Sequence, residues 1–204
     1  ASRIDLLKQH AGVDILAMYP AGAAPKADGW NMETYLKAAK ACAKANVAFG
    51  IGLGTTSDSV DSVGAFFNSY GAVLVDEKEN ITAKTDKVRA VMEYMKELTS
   101  VLPSDAPSWD DASNNKWLVS GRGATIMNPP SAWAVANRDA PDIGKQIWHH
   151  GMPIGPAGRH APFLPYFWGT WKFSKNKSAA KSLIRALSTE AAAVAGEPVA
   201  VVIT

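Results

Sequence analysis

A chain of 204 residues, of which 47% are hydrophobic, is long enough to build one large domain with a buried core. The net charge is only +2 and the charged residues carry both signs without a Lys/Arg-rich run, which excludes nucleic acid as the principal partner. The single cysteine, Cys42, excludes an intrachain disulfide and a cysteine-based metal centre, and we expect it to be a buried thiol. Because no run of about 18 apolar residues is present, we expect no transmembrane helix.

Hydrophobic residues recur at helical spacing in several segments, which short apolar runs and turn residues separate. The predicted helices cover residues 2–10, 32–46, 60–70 and 85–101, a segment that starts at Ser108 or Asp110 and ends at Gly121, a segment that opens at Ser131, and residues 177–187. The predicted extended segments cover residues 47–53, 124–127, 146–154 and 166–173, with a surface hairpin over 72–83. This order predicts an α/β fold. The first residues already have a helical pattern, so we expect that a leader was removed or that a larger portion precedes them.

Residues 121–139 combine the features of a ligand-binding joint. A glycine turn leads into the apolar run 124–127, Asn128 and two prolines break that run, and Ser131 opens a helix that carries Trp133. In open α/β folds, ligands usually lie beyond the carboxyl ends of strands, and a helix N-terminus there offers free N–H groups. The alternative from the local pattern alone is a plain strand-turn-helix joint in which Trp133 belongs to the core.

The sequence contains no recognisable catalytic or metal-binding motif. The patterns HExxH, GxSxG, GxxxxGK[ST] and GxGxxG are all absent. His149 and His150 are neighbours in an extended run, so they point to opposite faces and cannot share one ion. The glycines at 50, 52 and 54 have the wrong spacing for a phosphate cradle and instead predict close packing. We therefore expect no catalytic residue, no metal and no cofactor, and we interpret Asp110 and Asp111 as helix-capping residues.

The sequence contains seven tryptophans, an unusually high number for its length. Three of them, Trp109, Trp133 and Trp168, lie next to polar or Gly/Pro turns. Indole faces pack against the C–H faces of sugar rings, while carboxylates, amides and arginines at the rim can hydrogen-bond hydroxyl groups. A cleft that holds both kinds of group would suit a carbohydrate, although core packing is an equal alternative for each tryptophan.

Pieces spread over residues 3–189 resemble, in order and spacing, the extracellular sugar-binding proteins of ABC importers, the group that includes maltose- and glycerol-phosphate-binding proteins. These pieces are RIDLLKQHAGV, WNMETYLKAAK, FGIGLG, SYGAVLVDEKENIT, SWDDASNNKWLVSGRGATIMNPPSAW, GPAGRHAP and FSKNKSAAKSLIRALST. The resemblance implies a periplasmic-binding-protein-like (type II) α/β fold, with a mixed sheet flanked by helices in each of two lobes. It also implies that residues 1–165 form the second, C-terminal lobe, that residues 166–204 form the hinge crossing and the start of the return, and that the first lobe is largely absent from this chain.

The function implied by this resemblance is that of the periplasmic substrate-binding component of an ABC transporter. Such a protein captures a sugar, polyol or related carbohydrate between two lobes and delivers it to an ABC permease in the inner membrane. We expect a protein that is not an enzyme, that is monomeric at full length, and that is periplasmic or exported and membrane-tethered. Two other interpretations stay open. One is a glycan-processing enzyme that uses Asp110 or Asp111, which requires a second carboxyl about 5–10 Å away. The other is a stable lobe with little affinity of its own.

The resemblance also implies a set of ligand-binding residues. The family's sugar-stacking motif, A-M-x-x-x-G-P-W-A, is matched by residues 124–133, but Ser131 occupies the place of its tryptophan and Trp133 lies two residues further on. A ligand-facing loop of the family matches residues 54–61, and the crossing beside the cleft matches residues 166–173. Arg159 lies on the loop before the crossing, where it could meet an anionic group. The implied ligand-binding residues are Trp133, Ser131, Asn128, Asp58, Ser59, Asp61, Phe167, Trp168 and Arg159.

Overall fold

The computed structural model describes residues 1–128, 130–162 and 167–188. The chain divides into two compact units, residues 1–163 and 164–204. The helices and strands of the described residues, in chain order, are β1 (Ser2–Arg3), α1 (Ile4–Ala11), α2 (Ile15–Met18), α3 (Met32–Lys44), α4 (Ser57–Ser69), α5 (Asp86–Thr99), α6 (Ser113–Val119), α7 (Ser131–Asp139), α8 (Pro141–Gly144), β2 (Ile147–Trp148) and α9 (Lys177–Leu187). None of the helices among these residues is long and apolar enough to cross a membrane.

Helices α3, α4 and α5 begin where a side-chain oxygen accepts a hydrogen bond from a backbone N–H of the first turn. These caps are Asn31 to the N–H of Thr34 (2.9 Å), Thr56 to that of Ser59 (3.2 Å) and Thr85 to that of Val88 (3.4 Å). Because Thr56 caps α4, that helix starts at Ser57, three residues before the predicted start. The prediction of a polar loop over 54–61 is therefore wrong from Ser57 onward, and Asp58, Ser59 and Asp61 lie on the helix.

A two-stranded antiparallel sheet and isolated bridges join distant parts of the first unit. β1 pairs antiparallel with β2, placing Ser2 opposite Trp148. Ser2 also forms an antiparallel bridge with Thr125, and Ile126 forms a parallel bridge with Gly50. The mixed α/β architecture expected from the sequence is present, but the predicted strand over 47–53 contributes one bridge rather than a ladder. The first predicted helix starts later, at Ile4, because the two residues before it belong to the sheet.

The indole of Trp117 fills the space between the two segments that form the parallel bridge. A Cβ atom at Gly50 would lie 2.5 Å from Cδ1 of Trp117, and a Cβ atom at Gly123 would lie 2.3 Å from the same atom. The indole N–H donates to the carbonyl of Ala48 at 2.9 Å, and the Arg122 guanidinium lies 4.3 Å from the ring centroid. Glycine is needed at both positions because backbone and ring approach so closely. The prediction of close packing around Gly50 is confirmed.

Two hydrophobic clusters form the core of the first unit. The larger one surrounds the buried side chains of Trp30, Tyr35, Phe49 and Phe66 and includes Cys42, which is fully buried as expected. The smaller one brings α6, α7 and the sheet together, and its buried members are Leu118, Ile126, Ala132, Ala136 and Ile147. The alanines, one helical turn apart, form the inward face of α7, so the smaller cluster sets the position of that helix.

Several local predictions differ from the structure. Helix α6 starts at Ser113, later than predicted, because Asp110 stabilises a turn before it. The predicted strand over 166–173 has no counterpart in 167–173, where Trp171 and Phe173 stack with ring centroids 5.6 Å apart, and residue 166 lies outside the described residues. The predicted hairpin is confirmed by the antiparallel bridge between Val75 and Ile81.

A chain of hydrogen bonds links β1 to residues 121–139 and to the segment after β2. Nδ1 of His150 lies 2.9 Å from the carbonyl of Gly151, which can only accept, so Nδ1 carries the proton. Nε2 then accepts from the hydroxyl of Ser2 at 2.7 Å, and the Ser2 oxygen accepts from that of Thr125 at 2.9 Å. Burial lowers the pKa of His150 to about 3, so the ring is neutral at pH 7.

Acidification is expected to destabilise the fold through His150. The pKa is lowered from 6.5 to about 3, so between these values the unfolded chain binds a proton that the folded chain does not. The contribution of His150 to stability is therefore complete above the unfolded pKa and is lost as the pH falls, by about 3 kcal/mol at about pH 4.5. Urea unfolding as a function of pH measures this loss. Burial also lowers the pKa of His149, to about 4, so His150→Gln should reduce the pH dependence without abolishing it. An equally steep dependence in that variant would contradict the assignment.

Two glycine-to-alanine substitutions, one of them a control, test the contact around Trp117. Gly123→Ala places a methyl group against the indole and should destabilise the chain by about 1–3 kcal/mol. Gly64→Ala is the matched control, because a Cβ atom at this position in α4 meets nothing within 4 Å. That variant should be stabilised by up to about 1 kcal/mol. Chemical denaturation of both variants checks the opposite signs, and equal effects would show that the ring does not limit the space at Gly123.

Candidate functional site

Polar side chains from three elements meet where α4, α6 and the turn before α7 come together. We call this group the amide–carboxylate cluster, and its members are Asp58, Asp111, Asn114, Asn115, Asn128 and Ser131. The sequence places them on three separate segments, and hydrogen bonds connect those segments. Helices α6 and α7 both contribute buried residues to the smaller hydrophobic cluster. This packing sets the positions of two of the elements that carry the polar group.

Asn114 is the central member of the cluster. Its side chain is almost fully buried, with 3% of the residue exposed. Its Nδ2 donates to Oδ2 of Asp58 at 2.8 Å and to the carbonyl of Met127 at 3.2 Å, and it lies 3.4 Å from Oδ1 of Asn128. Its Oδ1 accepts from the N–H of Asn115 at 2.6 Å. One buried amide thus ties α4 to the end of the extended run 124–127.

A second set of bonds surrounds the start of α7. Nδ2 of Asn128 donates to Oδ1 of Asn115 and, at 2.9 Å, to the hydroxyl of Ser131. Nδ2 of Asn115 lies 3.4 Å from that same hydroxyl. Asn128 and Ser131, two residues implied by the resemblance, are therefore in direct contact through hydrogen bonds.

Carboxylates occupy the N-terminal end of α4. Oδ1 of Asp111 accepts from the N–H of Asp58 at 3.3 Å, and its Oδ2 accepts from the hydroxyl of Ser57 at 3.4 Å. Burial raises the pKa of Asp58, the hydrogen bond from Asn114 opposes this shift, and the negative charges of Asp111 and Asp61 add to it. The N-terminal turn of α4 is thus bound by a carboxylate of the same chain.

Trp133 lies on α7, two residues after Ser131, and its indole is directed away from the core. The residue is 44% exposed, whereas Ala132 and Ala136 on the same helix are fully buried. The alternative in which Trp133 belongs to the core is therefore wrong. By contrast, Trp109, another tryptophan beside a turn, is 7% exposed and belongs to the larger core cluster.

The remaining predicted residues lie apart from the cluster or support it indirectly. The hydroxyl of Ser59 donates to the carbonyl of Gly54 at 2.5 Å, so it stabilises the start of α4. The guanidinium of Arg159 donates to the carbonyls of Met152 and Ala27, the latter at 2.9 Å, and holds these loops together. Asp61 contributes its negative charge to the environment of Asp58.

Phe167 and Trp168 belong to the second compact unit. Phe167 is 88% exposed and Trp168 is 39% exposed, so both offer aromatic surface. Their assignment as ligand contacts stays a prediction.

Sequence reasoning did not identify Asn114 and Asn115 as site residues. Asparagine is an unfavourable residue inside a helix because its amide competes for backbone hydrogen bonds. Two adjacent asparagines in the first turn of α6 were therefore a signal that could have been followed. Asp111 was considered only as a capping or catalytic residue, and it does cap a helix, but the helix is α4.

The catalytic alternative gains no support from Asp110. Its Oδ1 accepts from the hydroxyl of Ser113 at 2.6 Å and from the N–H of Ala112 at 3.1 Å. The Ser113 hydrogen bond is the main reason that the pKa of Asp110 is lowered, which is the opposite of what a general acid needs. Within residues 1–128, 130–162 and 167–188, no group of three or more His, Cys, Asp and Glu residues could hold a metal ion.

Comparison with protein families gives a match over residues 11–196 to the model described as "Bacterial extracellular solute-binding protein". Over 142 residues the chain is 28% identical to a probable ABC transporter-binding protein of Deinococcus radiodurans. That match covers 66% of this chain and 32% of the relative, so the chain spans about a third of the relative's length.

Solved structures show the same fold. Maltose-bound MalE3 of T. maritima is 24% identical and superposes with a TM-score of 0.69, covering 94% of this chain and 48% of that protein. The GacH receptor of Streptomyces glaucescens, solved unliganded and with acarbose, is 20% identical with a TM-score of 0.59, covering 94% and 46%. The chain thus corresponds to about half of each of these structures.

Trp133 should contribute little to stability because its indole is exposed. Trp133→Ala is expected to cost less than about 1 kcal/mol, whereas Trp30→Ala, which removes a fully buried ring, should cost about 3–5 kcal/mol. The two free energies of unfolding, measured in urea on this chain, check the contrast. A cost for Trp133→Ala comparable to that for Trp30→Ala would restore the core interpretation.

Proposed function

Because the chain belongs to the family of bacterial extracellular solute-binding proteins, we propose that the protein is the substrate-binding component of an ABC transporter and that its solute is a carbohydrate. The ligand is a sugar, a polyol or a related compound, captured between two lobes. This chain supplies most of the second lobe, residues 1–165, and residues 166–204 supply the crossing and the start of the return to the first lobe.

The observation that carries the proposal is the exposed indole of Trp133 on α7, two residues after Ser131 of the amide–carboxylate cluster. An exposed aromatic face supplies apolar contact to a sugar ring, and the amides and carboxylates supply hydrogen-bond partners for its hydroxyl groups. In our proposal Trp133 performs the stacking that Ser131 cannot, while Asn128, Ser131, Asp58 and Asp61 face the polar edge of the ligand.

The remaining candidates are considered separately. Phe167 and Trp168, which belong to the second unit, are both exposed and offer aromatic surface there. Ser59 and Arg159 act indirectly, since their polar atoms bind backbone carbonyls.

The transport role follows from how such a protein works. Ligand binding shifts the protein toward a closed form, and a permease in the inner membrane selects that form. We place the protein in the periplasm, or exported and tethered to the membrane, and as a monomer at full length. The proposal involves no chemical conversion, and the hydrogen bonds that lower the pKa of Asp110 disfavour the glycan-processing alternative in which Asp110 is the general acid.

A thermal-shift panel on the full-length protein tests the function. A sugar that binds only the native state at 100 times its Kd should raise the stability by about 2.7 kcal/mol and therefore raise the Tm. Trp133→Ala should weaken the binding of that sugar at least about tenfold, because a stacked ring is lost. Ile81→Ala is the control, since Ile81 is an exposed apolar residue of the hairpin, 84% exposed.

The outcomes separate two claims. If no sugar or polyol in the panel raises the Tm, the proposed carbohydrate function is wrong. If a sugar binds wild type and Trp133→Ala equally well, the function stands but the stacking role is wrong.

A further inference from the structure

The side-chain NH₂ groups of Asn114 and Asn128 are directed into the amide–carboxylate cluster. Asn114 uses its Nδ2 on Asp58 and on the carbonyl of Met127. Asn128 uses its Nδ2 on Asn115 and on Ser131. An amide NH₂ has only two donors, so these two residues have none left for a ligand.

The backbone donors at the start of α4 are also occupied. The N–H of Asp58 donates to Asp111, and the N–H of Ser59 donates to the hydroxyl oxygen of Thr56. A helix N-terminus binds phosphate through just such N–H groups and through the positive end of its dipole. Here the carboxylate of Asp111 already occupies the N-terminus of α4, so an anionic ligand would have to displace that carboxylate.

The charge around the cluster is negative. Asp58, Asp61 and Asp111 contribute carboxylates, and the charges of the latter two raise the pKa of Asp58. Within the part of the chain that the structure describes, none of these three carboxylates forms an ion pair with a lysine or arginine. Arg159, the cation expected to meet an anionic group, is bound to backbone carbonyls instead.

We infer, building on the proposed function, that this site selects carbohydrates whose facing groups donate hydrogen bonds and rejects phosphorylated or carboxylated ones, and that Asn114 is the positioning residue that sets this polarity. Uncharged hydroxyl groups donate to the carboxylates of Asp58 and Asp111, which are the acceptors left at the surface of the cluster. Asn114 acts through Asp58, because its bond to Oδ2 fixes the carboxylate and leaves Oδ1 for a ligand hydroxyl.

The expected difference in affinity between uncharged and anionic sugars follows from electrostatics. Placing a phosphate or carboxylate of the ligand beside like charges costs several kcal/mol, and each 1.4 kcal/mol is a factor of ten in affinity. An anionic sugar should therefore bind at least about 100-fold more weakly than its uncharged partner.

The first experiment compares matched probes on the full-length protein by calorimetry and competition. The pairs are glucose with glucose 6-phosphate, glucose with glucuronate, and glycerol with glycerol 3-phosphate, and maltose serves as a further uncharged probe. Binding of uncharged probes that the anionic ones fail to displace supports the inference. An anionic member that binds as tightly as its uncharged partner overturns the inference and leaves the carbohydrate function standing. Absence of binding by every probe overturns the proposed function, and the inference falls with it.

The second experiment uses Asn114→Asp, a nearly isosteric change. At pH 7 the new carboxylate cannot donate to Asp58, and the two repel each other beside Asp61 and Asp111. Affinity for the best uncharged probe should fall at least about tenfold relative to wild type. At about pH 5 the paired carboxyls share a proton, which restores a donor, so the ratio to wild type should recover.

The pH dependence of the affinity distinguishes a positioning role of Asn114 from simple damage to the fold. Asn31→Asp is the matched control, because a carboxylate there can still accept from the N–H of Thr34 at the start of α3, and its affinity should equal that of wild type at both pH values. Thermal unfolding of each variant reports whether it is folded. A loss of affinity in Asn114→Asp that is the same at both pH values, or no loss at all, overturns the positioning role.

Discussion

The placement of the indole of Trp117 is the constraint on which the rest of the first unit depends. The ring lies against the backbone at Gly50 and Gly123 and donates its N–H to the carbonyl of Ala48. It therefore fixes the distance between the segments around residues 50 and 126, which form the parallel bridge. Both the extended run that ends at Asn128 and helix α6, which carries Asn114, take their positions from this one ring.

Much of this architecture could be predicted from local patterns. The helices over α3 and α5 and the helix after Ser131 follow from spacing and propensity, which act over a few residues, whereas the cap at Thr56 was missed. The sheet was predicted less well, because a bridge such as that between Gly50 and Ile126 depends on packing between segments distant in sequence. For the same reason the sequence indicated Asn128, Ser131 and Asp58 singly, while the buried amide of Asn114 that connects two of them was missed.

The site shows how polar side chains of one chain can determine the polarity of a surface. Amides are used inside the cluster as donors, because a buried N–H without a partner would be costly. The carboxylates remain as acceptors at the rim. In our proposal, such a division gives the binding surface one hydrogen-bonding character, and this character favours uncharged polyhydroxy compounds.

Helix α7 has two opposed faces with separate roles. Its inward face consists of small side chains, Ala132 and Ala136, which contact the smaller hydrophobic cluster without any exposed surface. Because the helix is rigid, an added methyl or methylene on that face would tilt the axis and re-aim the indole of Trp133 on the other side. The angle of an exposed aromatic ring can thus be adjusted by substitutions that never touch a ligand, which gives the fold a route to new solutes through its core.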